Sequence, residues 1–180
     1  MINLHYRADQ LIDHLRGRTV SFSHEQGQIL ETGGGLKAAL PLLGPGPVMT
    51  LNSDAVWTGQ NPLTQLAAAW NGAQMDALLL LLPVADATGH GPKADFHHAR
   101  DGRISRGRGD EGHVYLGAGM INPACLDDMT QTAFSLNRAW DRIIGDGRGY
   151  GVVHQGGWCD VGTPEGIAVA EALLHSGRDA

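Results

Sequence analysis

Two aspartates, one after a predicted strand and one in a predicted turn, could together hold a divalent cation. Asp54 follows an apolar run of strand length that closes on Asn52, Ser53 and Asp54. Asp160 lies in a turn predicted at residues 158–163. Ligands of open α/β sheets bind beyond the carboxyl ends of the strands, where carboxylates suit Mg²⁺ beside phosphate oxygens. The pair indicates phosphoryl or nucleotidyl transfer, whereas Asp54 alone would be interpreted as a cap of the next turn.

A second segment, Glu31-Thr32-Gly33-Gly34-Gly35, could bring backbone amides close to a ligand. Thr32 is predicted to cap a helix over residues 36–40, and glycines allow close approach to an anion or a polar ring edge. No Gly-Lys-Ser/Thr follows, so this is not a Walker A loop. The alternative interpretation is a flexible turn before the helix.

Composition limits the class of protein. The chain has 180 residues, 42% of them hydrophobic, which predicts a single domain over residues 1–180 with one core. It has no apolar run of about 18 residues, which argues against a membrane span. Two distant cysteines, without a signal-peptide pattern, favour a reduced cytoplasmic compartment. The net charge of −6, without a Lys/Arg cluster, argues against a nucleic-acid partner.

The elements that would position these residues alternate between strands and helices. This order predicts an α/β fold with a mostly parallel sheet. The most apolar strand, residues 76–83, is expected to be covered on both faces, and residues 86–93 form a loop long enough for a lid or a substrate loop. Other strands are predicted at residues 1–4, 19–22, 47–51, 94–98, 103–105, 114–121 and 150–154, and helices at 8–15, 36–40, 62–70, 123–129, 135–144 and 164–174.

Several residues with reactive side chains are interpreted as structural. His97 and His98 lie on opposite faces of a predicted hairpin strand, so they would not share a metal. Without further information Trp158 would be a core or lid aromatic. The same packing role is predicted for Trp57, Tyr115, Cys125, His154 and Cys159.

Three segments in this order resemble the sugar-1-phosphate nucleotidyltransferases: residues 30–35 (L-E-T-G-G-G), 51–57 (L-N-S-D-A-V-W) and 157–163 (G-W-C-D-V-G-T). The resemblance runs from Met1 to about Leu174. It implies a Rossmann-like, three-layer fold of the GT-A type with a mixed, mostly parallel sheet. The branch with the greatest similarity is the N-acetylmuramate α-1-phosphate uridylyltransferases, and mannose-1-phosphate guanylyltransferases are near relatives.

The resemblance implies Mg²⁺-dependent transfer of a nucleotidyl group from an NTP to a sugar 1-phosphate, which yields an NDP-sugar and pyrophosphate. UTP and N-acetylmuramate 1-phosphate, in peptidoglycan recycling, are the favoured substrates. GTP and mannose 1-phosphate are the alternative.

The resemblance also implies a role for particular residues. Asp54 and Asp160 match the two aspartates that bind the catalytic Mg²⁺. Asp95 matches an acidic residue of the sugar loop loosely, because Pro92-Lys93-Ala94 replaces a glycine-rich run. Nucleotide contacts are implied for Glu31, Thr32, Gly33 and Gly34, and contacts with the sugar phosphate or ribose for Asn52, Asp95, Gly117 and Trp158.

One part of the family pattern is absent from the sequence. The family opens with a strand, a G-x-G-x-R phosphate loop and a P-K-P lysine, whereas the two lysines here are Lys37 and Lys93. We therefore expect a domain that is N-terminally incomplete, lacking its first strand and phosphate loop. The alternative to a transferase is a catalytically inactive fragment that retains sugar-phosphate or metal binding. An uncovered sheet edge would favour self-association.

Overall fold

The computed structural model describes residues 1–176, which divide into two compact units. The first unit comprises Met1–Val48 and Asn122–Arg142, and the second comprises Met49–Ile121 and the chain from Ile143 onward. The single domain expected from chain length stays a prediction. Within residues 1–176, no helix combines the length and apolar character needed to cross a bilayer.

The first unit contains a parallel pair of short strands and a long helix. Strand β1 (Ile2–Leu4) pairs with β2 (Phe22–His24), which begins where the sequence predicted a strand to end. Helix α1 spans Ala8–His14 and α2 spans Glu31–Leu43. The helix predicted at residues 123–129 is a single turn of 3-10 helix over Pro123–Leu126. Helix α4 spans Asn137–Gly145, and its residues from Ile143 onward belong to the second unit.

Helix α2 corrects two expectations. It begins at Glu31, runs through all three glycines and includes Pro41, so the glycines are neither a flexible turn nor a loop before the helix. The reason is close packing. A Cβ atom on Gly33 would lie 2.4 Å from the Phe134 ring, and one on Gly34 would lie 2.2 Å from the Thr132 carbonyl oxygen. Glycine is a poor helix former, but it has no Cβ atom and therefore allows this close approach.

Within the described residues, the second unit contains eight strands: β3 (Val48–Leu51), β4 (Ala55–Trp57), β5 (Ala77–Pro83), β6 (Phe96–His98), β7 (Ile104–Arg106), β8 (His113–Ile121), β9 (Gly149–Val153) and β10 (Trp158–Asp160). Six of them form one sheet in the order β7-β6-β8-β5-β9, with β3 paired to β8. A separate two-stranded sheet joins β4 and β10. The helices are α3 (Pro62–Ala69), a 3-10 turn at Val84–Asp86, and α5 (Pro164–Ser176).

The α/β class and the mixed sheet are confirmed, but mostly parallel pairing is not. In the six-stranded sheet β5 and β9 run parallel. Strand β8 is antiparallel to both β5 and β6, and the β6–β7 hairpin adds a further antiparallel pair. Alternation of strands and helices favours parallel strands joined by a crossover helix. Here the chain between β5 and β8 forms the β6–β7 hairpin instead of a crossover helix, and β8 pairs antiparallel with β5.

Strand β5 forms the centre of the core of the second unit. It lies between β8 and β9, and the side chains of Ala77 through Leu82 are buried, as the sequence predicted for a strand covered on both faces. Leu78, Leu80 and Leu82 share one face with Leu66 of α3 and with Trp158. Cys159 is fully buried, whereas Cys125 of the first unit is only partly buried.

The predicted turn at residues 158–163 is also corrected. Its first half is strand β10, which pairs antiparallel with β4 so that Trp158 faces Trp57 and Asp160 faces Ala55. Both strands have three residues, too few for a periodic pattern to reveal them. Their pairing joins distant parts of the sequence and places the two aspartate motifs side by side.

Candidate active site

The β4–β10 pair brings the two predicted metal ligands to one place. Asp54 precedes β4 and Asp160 ends β10, and the amide of Val161 donates a hydrogen bond to the main-chain carbonyl of Asp54 at 2.8 Å. Both aspartates line the same cleft. The structure thus brings the two aspartates to one cleft, and their roles as metal ligands stay predictions.

Most of the predicted sugar-phosphate residues line this cleft as well. Its wall is formed by Asn52, Asp54, Ala55, His90, Tyr115, Leu116, Gly117, Trp158 and Asp160. Asp95 lies nearby, because its carboxylate is 3.8 Å from the His90 ring. The cleft combines carboxylates with apolar ring surface, a composition suited to a polar ligand that carries a sugar or a base.

Asn52 and Gly117 are joined through the backbone. Asn52 directly follows β3, and its amide donates to the carbonyl of Gly117 in β8 at 2.7 Å. This bond extends the pairing of β3 with β8 by one residue and fixes where the Asn52 side chain leaves the sheet. The Asn52 side chain is solvent-exposed at the cleft.

Trp158 is a rigid wall of the cleft. Its side chain is buried, and its indole N–H donates to the Leu116 carbonyl at 3.1 Å. The single polar atom of the side chain is thus satisfied within the protein. Trp158 therefore contributes only apolar ring surface to the cleft, and the sugar contact implied for it stays a prediction.

Tyr115 is the cleft residue with the most strongly shifted titration. Burial raises the pKa of its phenol far above the ordinary value, and a hydrogen bond with Thr50 opposes this only in part. The phenol therefore stays protonated near neutral pH. It is not a candidate for a general base.

Asp54 and Asp160 fit a hard cation better than a transition metal. One oxygen of Asp160 accepts a hydrogen bond from the amide of Gly162 at 3.0 Å, which orients the carboxylate. Among residues 1–176, no group of three or more His, Cys, Asp or Glu is arranged to hold a metal. Two carboxylates beside an exposed cleft suit Mg²⁺, which takes its other ligands from water and substrate phosphates.

Sequence reasoning missed His90. The loop over residues 86–93 was predicted as a possible substrate loop, but its histidine was not singled out. A lone histidine in a loop carries no periodic signal, and the available sign was its setting between two glycines, Gly89 and Gly91. The structure places the ring at the cleft beside Trp158, with ring centroids 6.2 Å apart.

The predicted nucleotide residues 31–34 lie in the first unit. The amides of Gly33 and Gly34 both donate to the carbonyl of Phe134, at 2.9 and 3.0 Å. The hydroxyl of Thr32 accepts a hydrogen bond from the amide of Leu136 at 2.9 Å, so Thr32 is not the predicted N-cap. These groups hold α2 against residues 132–136, and the nucleotide contact implied for Glu31, Thr32, Gly33 and Gly34 stays a prediction.

His154 is structural, as the sequence predicted. Its Nδ1 lies 2.8 Å from the side-chain amide nitrogen of Gln65, and its Nε2 lies 3.1 Å from the Thr58 carbonyl oxygen. A neutral ring that accepts at Nδ1 and donates at Nε2 satisfies both contacts. Burial lowers the pKa of His154, in agreement with that neutral form.

Curated relatives establish the family. N-acetylmuramate alpha-1-phosphate uridylyltransferase of Caulobacter vibrioides is 36% identical over 185 residues, an alignment that covers 97% of this chain and 76% of the relative. The protein of the same name from Neisseria meningitidis serogroup B is 29% identical over 161 residues, covering 87% and 68%. This chain belongs to the sugar-1-phosphate nucleotidyltransferase family. No family model matches the sequence.

Solved structures agree with the fold of this family of enzymes. HddC from Yersinia pseudotuberculosis superposes with a TM-score of 0.70 at 18% identity, covering 93% of this chain and 75% of that chain. A UDP-glucose pyrophosphorylase in complex with UDP-glucose gives a TM-score of 0.64 at 13% identity, with coverage of 93% and 72%. These superpositions support the fold, and the relative at 36% identity confirms the family resemblance carried by the three sequence segments.

Proposed function

We propose that this chain catalyses the Mg²⁺-dependent transfer of a uridylyl group from UTP to N-acetylmuramate 1-phosphate. The observation that carries the proposal is the meeting of Asp54 and Asp160 in one cleft. Two relatives that bear this activity in their names support the choice of UTP and sugar.

The reaction is a displacement at phosphorus. A phosphate oxygen of the sugar 1-phosphate forms a bond to the α-phosphorus of UTP, and the bond from that phosphorus to the bridging oxygen of the β-phosphate breaks. Pyrophosphate leaves with the bonding electrons, and UDP-N-acetylmuramate is the product. The attacking phosphate is already anionic at neutral pH, so no proton has to be removed first. The reaction therefore needs no general base, which agrees with a Tyr115 phenol that stays protonated.

Catalysis of this kind depends on position and on compensation of charge. Mg²⁺ bound by Asp54 and Asp160 would neutralise negative charge that develops on the phosphates. Asn52 at the end of β3 can donate its side-chain amide to the sugar phosphate or the ribose. Trp158 and Leu116 provide a fixed apolar wall that restricts the orientation of the ligand.

A substrate panel tests the proposal. The chain is incubated with Mg²⁺, with UTP or GTP, and with the 1-phosphates of N-acetylmuramate, mannose and glucose. Pyrophosphate and the nucleotide sugar are measured by a coupled assay and by mass spectrometry. We expect release to be fastest with UTP and N-acetylmuramate 1-phosphate.

Other outcomes of the panel overturn the proposal in distinct ways. Turnover restricted to GTP and mannose 1-phosphate would assign the alternative guanylyltransferase activity. Binding of UDP-N-acetylmuramate, seen by calorimetry, without turnover of any pair would show a chain that binds the product but does not catalyse the reaction.

A further inference from the structure

The loop over residues 86–93 is fixed to the strand that carries Asp160. The amide of Thr88 donates to the Trp158 carbonyl at 3.3 Å, and the amide of Asp160 donates back to the Thr88 carbonyl at 3.0 Å. Gly89 has φ +78°, and a Cβ atom there would lie 2.7 Å from the Asp160 carbonyl oxygen. These contacts anchor the loop immediately before His90 and set the direction in which the next residue leaves the strand.

The His90 ring has one nitrogen engaged and one available. Its Nδ1 lies 2.8 Å from the Gly91 carbonyl, which can only accept, so the neutral ring carries its proton on Nδ1. Nε2 then presents a lone pair. Within residues 1–176, Nε2 makes no hydrogen bond, although the ring is only 24% exposed and is placed against Trp158.

A second acceptor lies beside Nε2. One carboxylate oxygen of Asp95 is 3.8 Å from His90 Nε2, too far for a hydrogen bond between them. The same oxygen accepts the amide of Tyr115 at 2.9 Å, which fixes the carboxylate in place. His90 Nε2 and the Asp95 carboxylate are therefore two fixed acceptors that cannot hydrogen-bond to each other. Both can accept a hydrogen bond from a ligand.

Two adjacent hydroxyl groups are the ligand that matches two acceptors. Each sugar hydroxyl donates one hydrogen bond, so two neighbouring hydroxyls can satisfy Nε2 and the carboxylate together. A phosphate matches this pair poorly, because it offers only acceptors and because the Asp95 carboxylate would repel it.

We propose that His90 Nε2 and the Asp95 carboxylate form a hydroxyl-binding pair that recognises the sugar ring and so determines which sugar 1-phosphate is accepted. This inference rests on the proposed function, since it assigns a role to one wall of the same cleft. The residue that the sequence left unassigned, His90, becomes a specificity determinant.

Calorimetric binding of sugar 1-phosphate separates this inference from the proposed function. We compare wild type with His90→Phe, which keeps a ring of similar shape but has no acceptor, and with His90→Gln, which can place an amide oxygen near the position of Nε2. We expect His90→Phe to weaken binding of sugar 1-phosphate about tenfold, the value of one hydrogen bond, and His90→Gln to restore part of it. In turnover the KM for the sugar 1-phosphate should rise while the KM for UTP stays within about twofold.

Deoxy analogues of the sugar 1-phosphate identify the group that is recognised. The analogue that lacks the hydroxyl bound by His90 should bind wild type about tenfold more weakly, and His90→Phe should bind that analogue and the parent sugar equally. If His90→Phe weakened the binding of inorganic phosphate as much as that of sugar 1-phosphate, His90 would be assigned to the phosphate and the inference would be overturned.

Two null results have different meanings. If wild type binds no sugar 1-phosphate, the proposed function fails. If wild type binds it and His90→Phe binds it as tightly, with the same melting temperature, only the present inference fails.

Discussion

Gly117 makes room for Asn52. Gly117 has φ +74°, and a Cβ atom built on it would lie 2.8 Å from Cβ and 3.1 Å from Nδ2 of Asn52. No side chain fits at Gly117 without moving Asn52, and the left-handed backbone favours glycine independently of the space. The glycine inside β8 thus sets the position of the residue that follows the neighbouring strand β3.

Gly117→Ala should therefore impair function more than folding. Backbone strain is expected to cost about 1–2 kcal/mol of unfolding free energy, measured by urea denaturation. Displacement of Asn52 in the cleft is expected to lower kcat/KM by roughly 100-fold, the scale of a misplacement of about 1 Å. Asn52→Ala and the double variant complete the test, because two changes that act through Asn52 are not additive. Fully additive losses in kcat/KM would show that Gly117 acts independently of Asn52.

Gly34→Ala tests whether α2 needs its glycines for packing. The added methyl group would lie 2.2 Å from the Thr132 carbonyl oxygen. Overpacking costs about 1–3 kcal/mol, which outweighs the gain of roughly 0.5–1 kcal/mol in helix propensity. We expect a net loss of stability in chemical denaturation. Gly145→Ala is the control, because a Cβ atom there meets no atom within 4 Å. Equal stability of the two variants would exclude the packing role.

Arg148 and Asp76 form an ion pair that joins the start of β9 to the start of β5. The guanidinium Nε contacts one carboxylate oxygen, a terminal nitrogen lies 3.4 Å from the other, and the Ala73 carbonyl accepts at 3.3 Å. Arg148→Met leaves the carboxylate of Asp76, which is 18% exposed, without this partner. We expect the unfolding free energy to fall by about 1–2 kcal/mol. The loss is smaller than for a fully buried ion pair, because solvent screens this partly exposed one.

The matched control for this pair is Arg16→Met. Arg16 and Asp13 are 2.6 Å apart, but their side chains are 80% and 66% exposed. An exposed pair of this kind contributes about 0–1 kcal/mol. A change at Arg148 no larger than the change at Arg16 would contradict a structural role for the Arg148–Asp76 pair.

Two histidines should make the fold sensitive to mild acid. Burial lowers the pKa of His154, and burial with the nearby His98 and His97 lowers that of His113, both from an ordinary value of 6.5. The unfolded chain therefore takes up protons first as the pH falls. The two histidines contribute to stability above pH 6.5, and this contribution is lost as the pH falls through their lowered pKa values in the folded protein.

We expect the melting temperature to fall between pH 7.5 and pH 5.5, a range above most carboxylate titration. His113→Asn should reduce that dependence, because the Asn side chain does not titrate. A melting temperature that is constant over this range, or an unchanged slope in His113→Asn, would show that these histidines do not control the response.

Long and strongly patterned elements could be predicted from the sequence. Strand β5 and helix α3 lie within a residue of their expected positions, and the β6–β7 hairpin is confirmed. The failures have physical causes. Helix α2 passes through glycines because packing against Phe134 overrides local propensity. Strand β10 is paired with β4 and bridged to Thr88, both from distant parts of the chain, so no local pattern predicts it.

The candidate site was predictable to a similar extent. Asp54 and Asp160 were found because each lies in a segment with a recognisable order of residues. His90 was missed because its place depends on the hydrogen bonds of Thr88 to β10, which no local pattern encodes. Residues that act through neighbours, such as Gly117, could be named but not explained until the contact with Asn52 was seen.

The most direct test of the account is the Mg²⁺ dependence of pyrophosphate release from UTP and N-acetylmuramate 1-phosphate. Wild type, Asp54→Asn and Asp160→Asn are compared with Asp110→Asn, an exposed aspartate outside the cleft lining. The account predicts that Asp54→Asn and Asp160→Asn each lower kcat on the order of 100-fold or more and raise the Mg²⁺ concentration for half-maximal rate, while Asp110→Asn stays within about twofold. Wild-type turnover and wild-type Mg²⁺ dependence in either cleft variant would contradict it.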